Sequence, residues 1–144
     1  MKQKEKELLL ADLCSRLTHN VKAYVRHYSK LDRKWNEGTY IISSVHPSLN
    51  EILVSTDKYS VEIPLGHFNY EIKPYLFPMS SMTDEQWEEL YDALVELELK
   101  VINDEIEHYE VAQFEIEFYN KKHLDYRGLI PKGLALDATG LNIY

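Results

Sequence analysis

Only a few residues of this sequence combine a reactive side chain with a spacing that catalysis or metal binding would need. Glu105 and His108 are three residues apart, which on a helix places a carboxylate and an imidazole on one face. This pair is half of a carboxylate-bridged two-metal site, and the chain contains no second copy. A segment this rich in glutamate is expected to contain one such pair by chance, so the sequence predicts neither a metal site nor a cofactor.

A second group of reactive side chains follows near the C-terminal end. His123, Asp125 and Arg127 alternate along the chain and offer an acid–base pair. Gly128 comes next and permits a turn. We therefore interpret the group as the end of a preceding helix rather than as a catalytic site.

The single cysteine, Cys14, excludes a disulfide framework within the chain. Leucines at 9, 13 and 17 repeat every four residues beside it and predict an amphipathic helix over residues 7–17. We therefore expect Cys14 to be a small buried side chain. No Gly-rich phosphate loop and no Gly-x-Ser-x-Gly motif occurs. Because no nucleophile, base and acid can be assembled, the sequence predicts a protein that is not an enzyme.

Charge is distributed unevenly along the chain. The sequence has 24 acidic and 16 basic side chains, a formal net charge of −8. Residues 83–117 hold thirteen of the acids and one base, Lys100, and so carry a net charge of −12. The segments on either side are mildly basic. Such an acidic segment repels nucleic acid phosphates and anionic lipids and attracts basic partners.

The acidic segment opens with a capping box, in which Thr83 and Gln86 each satisfy the backbone amide of the other at the start of a helix. On a helical projection, one arc is apolar and holds Trp87, Leu90, Tyr91, Leu94, Leu97 and Val101. The opposite arc holds five carboxylates: Glu85, Glu88, Glu89, Asp92 and Glu96. We predict an apolar face in the core and a solvent face that carries only negative charge.

The five carboxylates have two interpretations. A solvated surface that aids solubility is the simpler one. The more specific interpretation is a docking face for a basic protein, because an ordinary solvated helix would carry Lys or Arg among the acids. A row of carboxylates at helical spacing can also occupy a groove built for the phosphates of DNA.

A basic and aromatic stretch supports an alternative function, the binding of single-stranded nucleic acid. Aromatic and basic side chains interleave at Lys22, Tyr24, Arg26, Tyr28, Arg33 and Lys34. Such residues form stacking platforms on the sheets of single-strand-binding proteins. Asp32 and Glu37 dilute the patch, and the chain as a whole is acidic, so we rank this alternative below protein binding.

The periodicity predicts an α+β fold. After the first helix, alternation predicts strands over 21–26, 39–45, around Ile52 and Val54, and over 59–65. Pro64 places the last strand at an edge of the sheet or lies near the end of that strand. Short connections imply a small antiparallel sheet or barrel of four to five strands. Residues 29–38 and 66–78 are expected to be a loop and an extended connector. Two helices follow, the second beginning near Asn103 and Asp104, although residues 111–118 also fit a strand.

The length favours a single domain over residues 1–144, with frayed ends at 1–6 and 142–144. Apolar runs are too short for a signal peptide or a membrane span, which predicts a cytoplasmic protein with no membrane partner. The oligomeric state is left open.

Three stretches carry a resemblance to a known group of proteins: LLLADLCSRL at 8–17, KPYLFPMSSMT at 73–83 and HLDYRGLIPKGLAL at 123–136. Their order and spacing resemble small proteins encoded by phages and prophages of Bacteroides-type gut bacteria. The group has no assigned activity, so the resemblance implies no catalytic residue. It implies a bacterial intracellular setting and a mobile-element origin. The sequence thus favours a phage accessory protein that binds another protein, a host factor or a defence protein, through its acidic helix.

Overall fold

A computed structural model describes residues 1–144 and has an α+β architecture. The three helices are α1 (Gln3–Arg16), α2 (Asp84–Ile102) and α3 (His108–Lys121). The six strands are β1 (Lys22–Ser29), β2 (Lys34–His46), β3 (Glu51–Ser55), β4 (Ser60–Pro64), β5 (Tyr70–Leu76) and β6 (Leu136–Asp137). Short 3-10 turns follow α1, β2 and β5.

The strands form one open sheet in the order β4-β3-β2-β1-β5-β6. The first five strands pair antiparallel, and β6 adds a short parallel pairing to β5. The sheet is not a closed barrel, although β4 and β5 come close in space where residues 65–69 join them. The predicted edge position of the strand that contains Pro64 is confirmed, because β4 lies at the end of the sheet.

The core lies on one face of this sheet. Side chains at alternate positions of β1 to β5 point to that face, as the two-residue period of a strand requires. Helix α1 covers them with Leu9, Leu10 and Leu13, and the segment after α3 adds Leu129 and Leu134. A second, smaller cluster joins the helices to the end of β5 and consists of Met82, Leu90, Phe118 and Leu124.

Two strand predictions are wrong. The expected connector 66–78 contains β5, a central strand that pairs with β1 from Tyr70 to Pro74. The expected loop 29–38 is shorter than predicted, because β2 begins at Lys34 and includes Trp35. Trp35 pairs with Tyr28 on the sheet, and its side chain is exposed.

Residues 111–118 are helical, so the helix interpretation of that segment is confirmed. Its start is later than predicted, because Asn103 ends α2 and the capping box of α3 is formed by Glu107 and Glu110. Helix α1 begins at Gln3, and the Tyr144 hydroxyl donates to the carbonyl oxygen of Tyr75 (2.8 Å).

Candidate functional site

Helix α2 begins at a well-defined cap. The backbone N–H of Gln86 donates to the Thr83 hydroxyl oxygen (3.2 Å), and the backbone N–H of Thr83 donates to the side-chain oxygen of Gln86 (3.0 Å). This reciprocal pair satisfies two backbone N–H groups at the start of the helix. Asp84 and Glu85 occupy the first turn, where the positive end of the helix dipole stabilises carboxylates. The capping box predicted from the sequence is confirmed, and it fixes the phase of the side chains along α2.

Seven exposed carboxylates lie along α2, and five of them share one arc of the helix. We call these five the acidic row: Glu85, Glu88, Glu89, Asp92 and Glu96. Two of them have a basic neighbour. Glu89 lies 3.4 Å from Nζ of Lys122, and Glu96 lies 3.8 Å from Nζ of Lys100. Glu85, Glu88 and Asp92 have no basic side chain within 4.0 Å. The row is therefore a largely uncompensated line of negative charge at the surface.

The apolar face predicted for α2 is only partly buried. Leu90 is 2% exposed, and Leu94 and Leu97 are half-buried, so this side of the helix does pack against the protein. Trp87 and Tyr91 are exposed, and the prediction that they point into the core is wrong. The reason is that α2 packs mainly against α3, and one neighbouring helix covers only a narrow stripe centred on Leu90.

The uncovered side of α2 carries a second line of apolar side chains, which we call the apolar stripe. Its members and their exposed fractions are Trp87 (47%), Tyr91 (69%), Val95 (43%), Leu99 (55%) and Ile102 (74%). At 100° per residue the stripe lies between the α3-facing side and the acidic row, and its arc also contains the exposed carboxylates of Asp84 and Glu98. Large apolar residues that recur on one exposed face mark an interaction surface more often than an inert one.

Helix α3 packs against α2 through Phe118, which lies in one cluster with Leu90, and its Val111 is also buried. The Tyr119 hydroxyl donates to the Glu115 carboxylate (2.6 Å), and burial, together with this hydrogen bond, raises the pKa of Tyr119 to about 12. Tyr109 and Ile116 on the same helix are exposed. The hairpin of α2 and α3 thus presents apolar side chains to solvent from both helices.

A buried ion pair ties the hairpin to the rest of the protein. Arg16 of α1 donates to both carboxylate oxygens of Asp12 (2.8 and 3.0 Å), and neither side chain is exposed. The same guanidinium donates to the carbonyl oxygen of Leu124 (2.6 Å), just after α3. Burial raises the pKa of Asp12, while the hydrogen bond and the charge of Arg16 oppose that shift. The pair therefore links α1 to the segment that follows the hairpin.

The group His123, Asp125 and Arg127 follows the end of α3, and His123 terminates the helix with a left-handed φ of 56° and a backbone N–H that donates to the carbonyl oxygen of Asn120 (3.1 Å). The Asp125 carboxylate accepts from the amides of Leu129 and Ile130 (2.7 and 2.8 Å) and so holds the segment after α3 in place. The Nε atom of Arg127 lies 3.6 Å from the Asp12 carboxylate. The interpretation as a helix terminus thus holds for His123, whereas Asp125 and Arg127 stabilise the junction with α1.

His123 stacks on the ring of Tyr144, with 3.7 Å between ring centroids. Burial, and then the positive charges of Arg16, His19 and Lys22, lower the pKa of His123 to about 4. The imidazole is therefore neutral at pH 7. Its Nδ1 atom is buried and has no hydrogen-bond partner, which suits a packing role rather than proton transfer to a substrate.

The remaining reactive side chains do not form a site. Glu105 lies in the turn before α3, which begins at His108, so the two do not share a helical face as predicted. No three His, Cys, Asp or Glu side chains come together in a geometry that holds a metal ion. Cys14 is exposed, which contradicts its predicted burial, because Leu13 and Arg16 take the inward positions of α1.

The outer face of the sheet carries part of the basic and aromatic patch. Lys22, Tyr24, Arg26 and Tyr28 alternate with the core residues of β1 and therefore share this face. The guanidinium of Arg26 lies 4.3 Å from the ring centroid of Trp35, which stands opposite Tyr28 in the register. The structure thus assembles four of the six predicted residues and adds a tryptophan.

The other two predicted patch residues lie elsewhere. Lys34 pairs with Ser29 and directly precedes Trp35 in β2, so the two side chains belong to opposite faces of the sheet. Arg33 lies in the turn before β2 and has a positive φ of 53°. The positive charge of the patch is also offset. The Tyr24 hydroxyl donates to Glu37 (2.8 Å), which adds a carboxylate directly across the strand pair. Because of these contacts, the surface carries both positive and negative charges rather than positive charges alone.

Comparisons with known proteins find no matching family model, no matching curated protein and no matching solved structure. None of the three helices combines the length and the apolar character needed to cross a membrane.

Proposed function

We propose that this protein is a non-enzymatic accessory protein of a phage or another mobile element, and that it binds a basic protein partner through the hairpin of α2 and α3. The observation that carries this proposal is the acidic row on α2. Three of its carboxylates have no basic neighbour, so the negative charge is free to pair with a partner. The resemblance of the sequence to phage-encoded proteins favours a host factor or a defence protein in the bacterial cytoplasm.

A charge-reversal variant tests the proposal. Glu88, Glu89 and Asp92 are changed together to Lys, and the tagged protein is used to capture partners from nuclease-treated bacterial lysate. The matched control reverses three exposed acids away from the hairpin: Glu7, Asp57 and Glu62. The wild type and the control are expected to retain the same basic protein, and the hairpin variant is expected to lose it. Equal retention by all three proteins would remove the acidic row from the function.

The outer sheet face supports a second candidate function, the binding of single-stranded nucleic acid. The observation that favours it is the row of aromatic rings on one face, with Tyr24, Tyr28 and Trp35 available for base stacking. A fluorescent oligonucleotide whose affinity falls steeply with salt, and falls at least tenfold in Trp35→Ala, would support this function. Recovery of a protein partner without nucleic acid favours the hairpin instead.

A further inference from the structure

The apolar stripe on α2 is not needed to hold the hairpin together. Leu90 and Leu94 already pack in the cluster that contains Phe118, on the side of α2 that faces α3. A surface helix requires only one apolar stripe toward the core. The second one, from Trp87 to Ile102, leaves between about two fifths and three quarters of each side chain in contact with water.

The charges beside the stripe restrict what can cover it. The acidic row borders it on one side, and residues 83–117 carry a net charge of −12. A second copy of the hairpin would bring an equal negative charge against it, and an anionic lipid surface would be repelled in the same way. A positively charged partner gains from both features, since its apolar side chains cover the stripe while its basic side chains reach the carboxylates.

The dimensions of the stripe indicate the shape of that partner. Its first four members recur every four residues, so they form a line that is inclined to the helix axis and advances by about 40° around the helix at each step. The line from Trp87 to Ile102 is about 22 Å long at 1.5 Å per residue. A partner helix of about 15 residues has the same length. Trp87 and Tyr91 offer aromatic surface of the kind that anchors such contacts.

We propose that the apolar stripe binds the apolar face of a basic amphipathic helix of about 15 residues, whose Lys or Arg side chains pair with the acidic row. This inference rests on the proposed function and names the chemistry of its partner. Binding buries Trp87, which is half exposed in the free protein. The tryptophan therefore reports directly on the occupied stripe.

The test uses Trp35→Phe protein, in which Trp87 is the single remaining tryptophan. The probe is a Leu/Lys peptide of about 16 residues with leucines on one helical face. Two control peptides have the same length: one scrambles the Leu/Lys sequence to remove the apolar face, and the other replaces Lys by Glu. At physiological salt, the amphipathic basic peptide is expected to shift Trp87 emission to the blue and to bind at least tenfold more tightly than either control.

Two variants locate the binding. Tyr91→Ser with Leu99→Ser removes the middle of the stripe and is expected to weaken the Leu/Lys peptide at least tenfold. The matched control replaces exposed apolar residues away from the hairpin, with Leu31→Ser and Phe68→Ser, and is expected to bind as the parent does. Circular dichroism of both variants establishes that they are folded.

Several results would overturn the inference. They are equal binding of the scrambled peptide, equal binding of the Leu/Glu peptide, no binding of any peptide, or a dimer of the free protein in which Trp87 is already buried. None of these results tests the proposed function, because that function is tested separately by capture of a partner with the charge-reversal variant. A stripe that fails here while the acidic row still captures a protein would leave the proposed function intact, with charge alone as its basis.

Discussion

The guanidinium of Arg16 and the carboxylate of Asp12 form a two-bond ion pair, at 2.8 and 3.0 Å, inside the protein. The pair lies one helical turn apart on α1, and Arg16 also reaches the carbonyl oxygen of Leu124 (2.6 Å). These contacts connect the helix that covers the sheet to the segment that follows the hairpin. The position of the candidate binding surface therefore depends on a charge pair far from it in sequence.

Removal of one partner from this pair is expected to be severely destabilising. Asp12→Ala leaves the Arg16 charge buried without its counter-ion, which costs about 3–5 kcal/mol of the free energy of unfolding. Urea denaturation measures the loss. The matched control is Glu96→Ala, which breaks an exposed pair with Lys100 and is expected to cost less than about 0.5 kcal/mol. A loss of about 1 kcal/mol or less for Asp12→Ala would show that the pair is not a structural link.

The stability of the fold is expected to fall as the pH is lowered from 7 toward 4, and His123 accounts for part of this loss. Its pKa is about 4 in the folded protein against 6.5 ordinarily. As the pH falls below 6.5, the unfolded chain takes up a proton that folded His123 does not, so the unfolded state gains stability. His123→Phe keeps an aromatic ring against Tyr144 and is expected to show a shallower dependence on pH over this range.

Two other buried groups also contribute to the pH dependence. Burial lowers the pKa of His27, which acts in the same direction, and raises the pKa of Asp12, which acts in the opposite direction. Both are present in the wild type and in His123→Phe, so the difference between the two proteins isolates His123. Replacement of an exposed histidine, His46→Phe, is the matched control. Parallel pH profiles for the wild type and His123→Phe would contradict the prediction.

The exposed position of Cys14 predicts rapid reaction with a thiol reagent in the native protein. One equivalent of Ellman's reagent is expected to react without denaturant, and Cys14→Ser is expected to consume none. Reaction that becomes measurable only after addition of urea would show that the thiol is buried, as the sequence alone suggests.

The sequence is most informative where one physical pattern dominates. Alternating β-branched side chains identify β1 and β4, and the capping box locates the start of α2. Strand β5 is missed because the prolines at 74 and 78 indicate an extended connector rather than a paired strand. In the sheet Pro74 stands opposite Ala23 at the end of the pairing with β1, where the missing N–H group is tolerated.

The remaining errors concern burial, which periodicity alone does not determine. A helical projection treats Trp87 as a core residue because it is apolar, but the number of neighbouring helices decides how wide a stripe is covered. The sequence does contain a signal for the buried ion pair, since Asp12 and Arg16 fall on the same stripe of α1 as Leu9 and Leu13. Its partners near Leu124 lie more than 100 residues away, so the sequence did not identify them.

Adjacent residues of α2 provide a direct test of which face of the helix is covered. Leu90→Ala removes a buried side chain from the cluster with Phe118 and Leu124 and is expected to lower the free energy of unfolding by about 2–4 kcal/mol. Tyr91→Ser, one position along, changes an exposed side chain and is expected to stay within about 0.5–1 kcal/mol of the wild type. Urea denaturation of the two variants under identical conditions makes the comparison. If Tyr91→Ser were as destabilising as Leu90→Ala, the apolar stripe would be part of the core, and it would not be free to bind a partner.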